Sequence, residues 1–291
     1  MGVRAIEEGP AIRLELESTP EAPSIVRGAL SAVAEQLELD PEFVDDLKTA
    51  VAEACNNVVT HAYDGAPGPL ETSLYIGPSS VLIAVRDRGV GIPNDIATDA
   101  RGGVGVPIIQ ALAGHSTFRP RDDGGTEVWM DFPARPQRGG SIATPVELAP
   151  DDDWISRLPG DAVISLSPLS LVNGVLGRVA PALAARARFT LDRVSDVYLA
   201  TDAIATHVMG AARGDRMGFG VGARTRHLEI TIGPFPSGAN ATLAGIAVSR
   251  RARSPLALLA DELEVLTANG VEILRVVIDD HTRPAQAPAA A

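Results

Sequence analysis

Residues 50–63 read AVAEACNNVVTHAY, and this stretch has the apolar periodicity of an amphipathic helix. Asp40 directly before Pro41 gives an N-cap residue and a proline at the first helical position, so we expect the helix to run from about 41 to 63. Its apolar stripe consists of Val44, Leu47, Val51, Ala54 and Val58. The stretch therefore predicts a long helix that packs one face against a core.

Polar residues interrupt this helix where leucine, alanine or lysine would serve. At about 100° per residue, Glu53 and Asn57 fall side by side at the border of the apolar stripe, whereas Asn56 points away from it. A carboxylate and an amide one turn apart can meet water, a metal ion or a phosphate at the rim of a pocket. Taken alone, the pair fits a solvated helix flank better than a binding site.

Three later stretches give the pair a context. The segment VLIAVRDRGVGI, residues 81–92, is a strand in which Asp87 has the same parity as the apolar positions, so its side chain is expected on the buried face. Gly89 and Gly91 follow it. The segment ARGGVGVPIIQALAG, residues 100–114, places Gly103 and Gly105 where a loop enters a helix, a position from which backbone N–H groups can approach phosphate. The last stretch, GGTEVWM at 124–130, puts Thr126 at the opening of a strand.

In this order the motifs E-x-x-x-N, D-x-G-x-G, G-x-G and G-T resemble the ATP site of the GHKL, or histidine-kinase-like, ATPase superfamily. The segments EACNNVVTHAY and RDRGVGI are most similar to those of the anti-sigma factor serine/threonine kinases. This resemblance covers roughly residues 12–133. The resemblance implies an α+β fold, a two-layer α/β sandwich of the Bergerat ATP-binding type, with ATP and Mg²⁺ as cofactors.

The resemblance also implies a role for each matched residue. Asn57 would be the Mg²⁺ ligand, Glu53 the general base and Asp87 the acceptor for the adenine amino group, with Thr126 close by. The glycines would give room beside the base and close a short lid, residues 93–102, over the phosphates; they are Gly89, Gly91, Gly103 and Gly105. Arg101, at the end of this lid, would either touch phosphate or be solvated.

The implied function is a Mg-ATP-dependent serine/threonine protein kinase that acts as an anti-sigma factor. Its phosphate acceptor would be an anti-anti-sigma protein of the STAS type, and the same domain would sequester an alternative sigma factor. One alternative is a binding module that uses ATP only to order its lid and hold a partner, without phosphotransfer. Another is an ATPase, or a histidine-kinase catalytic domain detached from its phosphoacceptor.

Composition and charge narrow the classes of partner and location. The net charge of −12 disfavours nucleic acid or an anionic membrane as a partner surface. With Cys55 as the single cysteine, a disulfide framework is impossible within the chain, and a reducing cytoplasm is the expected compartment. Because the first residues lack a continuous apolar segment and no apolar run reaches about 18 residues, we expect neither secretion nor a membrane span.

The length of 291 residues suggests two domains. A weak internal repeat at a spacing of 149 to 150 residues supports a tandem duplication, in which VAEACNNVVTHA lies over ATDAIATHVMGA. We expect, in order, an ATP-binding domain, a linker, a degenerate second copy and a disordered tail, with boundaries at 1–136, 137–159, 160–283 and 284–291.

The second copy departs from the motifs. The spacing ambiguity leaves two counterparts for each polar residue of the helix: Asp202 or Ala203 for Glu53, and Thr206 or His207 for Asn57. Val271 replaces the threonine of the last motif. Because kinases of the resembled family work as homodimers, a degenerate copy could take the place of the second subunit, which predicts a monomer built as a pseudo-dimer.

Overall fold

The computed structural model describes residues 9–77, 79–91, 104–133, 155, 157–241, 243, 254–268 and 270–281. We call residues 9–133 the first half and 155–281 the second half. The elements of the first half are β1 (Ile12–Glu17), α1 (Ala22–Gln36), α2 (Pro41–Asn57) with a π-helical turn (Val58–Ala62), β2 (Pro69–Ile76), β3 (Ser80–Asp87), α3 (Gly105–Leu112), β4 (His115–Pro120) and β5 (Thr126–Pro133). Those of the second half are β6 (Ala162–Leu166), a 3-10 turn (Leu169–Leu171), α4 (Val172–Arg186), α5 (Leu191–Ala211), β7 (Met217–Arg224), β8 (His227–Pro236), α6 (Pro255–Leu259), β9 (Glu262–Ala268) and β10 (Val271–Asp279).

Within the described residues, all the strands belong to one ten-stranded antiparallel sheet with the order β4-β5-β3-β2-β1-β6-β7-β8-β10-β9. Read outward from the centre, each half repeats the same strand order, and the two halves also repeat the same sequence of strands and helices. The centre of the sheet is the pairing of β1 with β6, which joins the halves into one continuous layer.

The β1–β6 pairing has a local two-fold symmetry. Leu14 lies opposite Ile164, a residue 150 positions later, while Ile12 pairs with Leu166 and Leu16 with Ala162. The contact is thus of the isologous type, in which equivalent surfaces meet around an axis. Above it α1 packs on α4, where Arg178 of α4 forms an ion pair with Glu35 of α1.

The helices form the second layer, on one face of the sheet. Alternate residues of the strands point to this face and pack against α1, α2, α4 and α5 in one connected cluster that runs through both halves. On the opposite face of the first half Arg86 forms ion pairs with Glu71 and Glu127 and lies 5.0 Å from the ring centroid of Trp129. The fold is therefore the expected two-layer sandwich of helices on an antiparallel sheet.

Most local expectations are confirmed. Asp40 caps α2 by accepting hydrogen bonds from the backbone N–H groups of Glu42 at 3.0 Å and Phe43 at 3.3 Å, and the whole predicted stripe of α2 is buried. The amino-acid sequence did not predict strand β4. Its residues HSTFRP have little apolar alternation because it is the edge strand and only partly buried.

Several predictions fall outside the described residues: the lid 93–102 with Arg101, Gly103, most of the linker 137–159, and the tail 284–291. In the remainder of the chain, every helix is too short or too polar to cross a membrane.

Candidate functional site

The polar pair of α2 lies against the start of α3. Glu53 and Asn57 are partly buried in the last turn of α2, and Gly105 is the first residue of α3. A Cβ atom on Gly105 would stand 3.1 Å from Glu53 Oε2 and 3.2 Å from Asn57 Oδ1. Within the described residues neither side chain has a hydrogen-bond partner. The absence of a side chain at Gly105 thus leaves a carboxylate and an amide free to bind a ligand at a helix N-terminus.

The D-x-G-x-G loop is tied to the end of the same helix. The π-helical turn ends at Ala62, whose carbonyl accepts a hydrogen bond from the backbone N–H of Val90 at 2.9 Å. A Cβ atom on Gly89 would lie 2.0 Å from this carbonyl oxygen, a distance that no side chain tolerates. Glycine is therefore required at position 89 for the loop to approach the Ala62 carbonyl so closely. π-Helical turns such as this one are frequent at functional sites.

Asp87 sits at the base of this loop, on the buried face that its strand parity predicted, and is 5% exposed. Its Oδ1 accepts a hydrogen bond from the backbone N–H of Gly89 at 2.8 Å. Burial raises the pKa of the Asp87 carboxyl, and the hydrogen bonds from Gly89 and from the backbone and hydroxyl of Thr126 oppose this rise. The carboxylate is held in one orientation at the floor of the site.

Thr126 reaches Asp87 because two glycine-rich segments touch through their backbones. Gly125 has φ +85°, and a Cβ atom there would lie 2.3 Å from the carbonyl oxygen of Asp87. Gly91 has φ +77°, and its Cβ position lies 3.3 Å from the carbonyl oxygen of Gly125. Only glycine accepts both the left-handed conformation and the proximity.

Sequence reasoning missed Tyr63, which braces the loop from outside. Its hydroxyl donates a hydrogen bond to the carbonyl oxygen of Pro69 at 2.5 Å and accepts one from the N–H of Arg88 at 2.8 Å. The ring also lies over Gly68, where a Cβ atom would be 2.4 Å from Tyr63 Cε1. A tyrosine that follows a helix gives no sequence signal for such contacts, because its partners come from strands farther along the chain.

Two other polar residues of this region, Cys55 and His61, lie in α2 and its π-helical turn. Cys55 is completely buried in α2, and burial raises the pKa of its thiol to about 12, which makes it a poor nucleophile. His61 is exposed in the π-helical turn.

The structure places seven of the eight predicted site residues. Glu53, Asn57 and Gly105 form one group, and Asp87, Gly89, Gly91 and Thr126 form another; Ala62 joins the groups through its contacts with the loop. Gly103 lies outside the described residues. Four motifs that are spread over about 75 positions of sequence thus converge on one end of the first half.

The first half of the chain is similar to known proteins. Residues 16–132 match the family described as a histidine kinase-like ATPase domain. The serine-protein kinase RsbW of Listeria monocytogenes is 32% identical over 116 residues, which cover 35% of this chain and 74% of that relative. The chain belongs to the anti-sigma kinase family of histidine-kinase-like ATPases.

Other members of this family are similar over shorter ranges. RsbW of Bacillus pumilus is 37% identical over 81 residues, 27% of this chain and 50% of the relative. The anti-sigma F factor of Geobacillus stearothermophilus is 33% identical over 84 residues, 28% of this chain and 58% of the relative. The chain thus spans only half to three fifths of the length of these two relatives.

The second half carries different residues at the positions that define the family site. The burial pattern of α5 repeats that of α2 at a spacing of 150, with buried residues at Val197, Ala200, Thr201, Ile204, Ala205 and Val208 where α2 and its π-helical turn have Leu47, Ala50, Val51, Ala54, Cys55 and Val58. A spacing of 149 would match the same six residues with Asp196, Leu199, Ala200, Ala203, Ile204 and His207, of which only Ala200 and Ile204 are buried. Glu53 therefore corresponds to Ala203, and Asn57 to His207.

Proposed function

We propose that this protein is a Mg-ATP-dependent serine/threonine kinase that regulates a sigma factor. The observation that supports it best is the convergence of Glu53 and Asn57 on Gly105, at the N-terminus of α3. Membership of the anti-sigma kinase family adds to it, since two relatives are named serine-protein kinase and one is named anti-sigma F factor.

The described residues fit a magnesium–nucleotide complex. Mg²⁺ prefers oxygen ligands and keeps several waters, so a single amide oxygen such as Asn57 Oδ1 is a suitable protein ligand. Gly105 is buried beside the side chains of Glu53 and Asn57, and the positive end of the α3 dipole favours an anion at this helix N-terminus. When bound, Mg²⁺ would neutralise charge on the phosphate oxygens.

Glu53 has the properties of a general base in this site. Its carboxylate lies one turn before Asn57 and lacks a cationic partner among the described residues, so it is free to accept the proton of an acceptor hydroxyl. Such a base typically contributes a factor of about 10² to 10⁴ in rate.

Asp87 would select the base of the nucleotide. Its carboxylate can accept a hydrogen bond from the amino group of adenine, and guanine has a carbonyl at that position, which a carboxylate repels. Hydrogen bonds from Gly89 and Thr126 hold this acceptor in place, and Gly91 allows the loop to approach the backbone of Gly125.

The partners follow from the same family relationship. The phosphate acceptor would be a serine or threonine of an anti-anti-sigma protein of the STAS type, and the second partner an alternative sigma factor. The net charge of −12 fits protein partners better than nucleic acid.

The repeated order of elements supports a tandem duplication, with an ATP-binding copy at 1–136 and a degenerate copy at 160–283. The isologous β1–β6 contact supports a further step: the second copy occupies the place that another subunit would take. One covalent chain then acts as a pseudo-dimer, because the linkage raises the effective concentration of the two halves to roughly the millimolar range.

The test is a transfer assay with γ-labelled ATP, Mg²⁺ and a purified STAS-type acceptor protein. We expect label on a serine or threonine of the acceptor with the wild-type chain and almost none with Glu53→Gln, which preserves the shape of the side chain. Magnesium-dependent ATP binding without transfer to any acceptor would favour the regulatory-module alternative. An absence of ATP binding would overturn the proposal.

A further inference from the structure

Strands β2 and β3 stop pairing at the point where the loop after Asp87 begins. Their register is antiparallel, and Leu70 opposite Asp87 is the last pair at this end. One step farther along the same register, Pro69 stands opposite Arg88. What holds these two residues decides the path of the chain as it leaves β3.

The phase of the ladder makes Pro69 and Arg88 a hydrogen-bonding pair. At the hairpin end of the two strands, the N–H of Gly77 donates to the carbonyl oxygen of Ser80 at 2.8 Å. Hydrogen-bonded and non-hydrogen-bonded pairs alternate along an antiparallel ladder. Counting along the register from that pair places Pro69 and Arg88 at a hydrogen-bonded position. A regular ladder would therefore join the N–H of Arg88 directly to the carbonyl of Pro69.

The hydroxyl of Tyr63 occupies the place of that direct bond. It donates to the carbonyl oxygen of Pro69 at 2.5 Å and accepts from the N–H of Arg88 at 2.8 Å. Two hydrogen bonds in series thus span a gap that a single bond would close. The inserted hydroxyl ends the ladder and holds the start of the loop apart from β2.

The loop is attached to the end of the π-helical turn at two points. Arg88 donates its N–H to the Tyr63 hydroxyl, and Val90 donates its N–H to the carbonyl of Ala62 at 2.9 Å. The two acceptors are consecutive residues, and they follow the same helix that carries Asn57. The base-reading loop and the proposed metal ligand are therefore positioned by one element.

The ring of Tyr63 reaches this place because residue 68 is glycine. A Cβ atom on Gly68 would lie 2.4 Å from Tyr63 Cε1 and 2.5 Å from Cδ1 and Cζ. Such distances do not occur between real atoms, so any side chain at position 68 would displace the ring. The position of the hydroxyl thus depends on a residue that lies outside the proposed nucleotide site.

We propose that Tyr63 is a positioning residue for nucleotide selection. Its hydroxyl sets the path of the loop after β3 and thereby holds the Asp87 carboxylate where it can accept the hydrogen bond of the adenine amino group. This inference rests on the proposed function, since it presupposes that Asp87 reads the base. Tyr63 acts through Asp87 and needs no contact with the nucleotide.

The test compares the binding of Mg-ATP and Mg-GTP by the full chain in wild type and in Tyr63→Phe, which keeps the ring and removes the bridging hydroxyl. We expect ATP affinity to fall about three- to tenfold, the worth of one hydrogen bond. GTP affinity should stay the same because guanine has no amino group for Asp87 at that position. In the transfer assay, KM for ATP should rise while kcat is unchanged, because the contact with the base is equal in the ground and transition states.

Two further variants separate the hydroxyl bridge from general effects. Tyr198→Phe is the matched control, because Tyr198 is 57% exposed and its hydroxyl has no partner among the described residues. It should leave both affinities unchanged. Gly68→Ala should lower the ratio of ATP to GTP affinity as Tyr63→Phe does, since it displaces the ring.

Hydrogen exchange in the absence of nucleotide measures the bridge itself. The amide of Arg88 should exchange faster in Tyr63→Phe than in wild type, because it loses its acceptor. An unchanged exchange rate, or equal effects of Tyr63→Phe and Tyr198→Phe on ATP binding, would overturn the role of Tyr63. An unchanged ratio of ATP to GTP affinity in a chain that binds ATP would overturn it too and leave the proposed function standing. A wild-type chain that binds neither nucleotide would overturn both.

Discussion

Leu14 of β1 and Ile164 of β6 lie directly opposite each other at the centre of the sheet, 150 positions apart in the chain. Both are buried, at 2% and 0% exposure. Because each is the counterpart of the other in the repeat, the axis that relates the halves passes between them. The pairing removes an open strand edge from each half, and such edges favour association with other chains.

Separation of the halves should therefore leave β1 as an unpaired edge strand that can associate with another chain. A fragment of residues 1–145 is expected to dimerise through β1 or to melt at a lower temperature than the intact chain, which should be a monomer. Size-exclusion chromatography with light scattering, together with thermal melting, distinguishes these states. A monomeric fragment as stable as the parent chain would show that β1 does not need β6.

Asn57→Ala should abolish magnesium-dependent ATP binding, because it removes the proposed protein ligand of the metal. Asn56→Ala is the matched control, since Asn56 is the adjacent amide and is exposed on the other side of α2. Titration with ATP in the presence and absence of Mg²⁺ measures both. Equal effects of the two changes would rule out Asn57 as the ligand.

Glu53→Gln should impair phosphoryl transfer while leaving ATP binding intact. Since the variant lacks a base but keeps the side-chain volume, ATP affinity should stay close to that of wild type while the transfer rate falls by about 10² to 10⁴. Single-turnover transfer and equilibrium binding give the two numbers. If transfer continues at the wild-type rate, another group is the base.

Gly125→Ala tests the contact between the last motif and Asp87. Both Gly124 and Gly125 have positive φ, +91° and +85°, but only at Gly125 does a Cβ atom meet the carbonyl oxygen of Asp87. Gly124→Ala should cost about 1 kcal/mol in unfolding free energy, from backbone strain alone. Gly125→Ala should cost clearly more and weaken ATP binding, as chemical denaturation and titration would show. Similar losses in both variants would mean that the close contact is unimportant.

The loop after β8, which Glu272 holds through Gly238 and Asn240, should make the stability of the fold depend on pH in the acidic range. Hydrogen bonds from Gly238 and Asn240 hold the pKa of Glu272 below its ordinary value of 4.5. A lowered pKa stabilises the fold above that ordinary value, and the benefit is lost as pH falls through the folded-state pKa. Glu272→Gln should thus be less stable than wild type by about 1 to 3 kcal/mol near neutral pH, with a smaller difference in acid.

Denaturation at several pH values measures this dependence. Glu17→Gln serves as the control because the side chain of Glu17 is exposed. A difference between wild type and Glu272→Gln that stays constant from neutral pH to about pH 3 would contradict the ionic role of Glu272.

Much of the first half could be predicted from local sequence. Asp40 with Pro41 set the start of α2, the apolar stripe set its buried face, and strand parity placed Asp87 inside. These features depend on neighbours within a turn or a strand, where periodicity and capping chemistry act. Strand β4 and the contacts of Tyr63 could not be predicted in this way. The edge strand β4 is only partly buried and has little apolar alternation, and the hydrogen bonds of Tyr63 depend on where the fold places the backbones of Pro69 and Arg88.

The family, the order of the four motifs and the presence of a repeat could be recognised from the amino-acid sequence, because local patterns of residue types carry them. The exact spacing of 150, and with it the match of His207 to Asn57, became clear from the fold, since it requires knowing which side of α5 is buried. The tertiary structure also decided the pairing of Leu14 with Ile164 and the backbone contact of Gly125 with Asp87. Those contacts join segments that are remote in sequence, and they form only when the sheet has assembled.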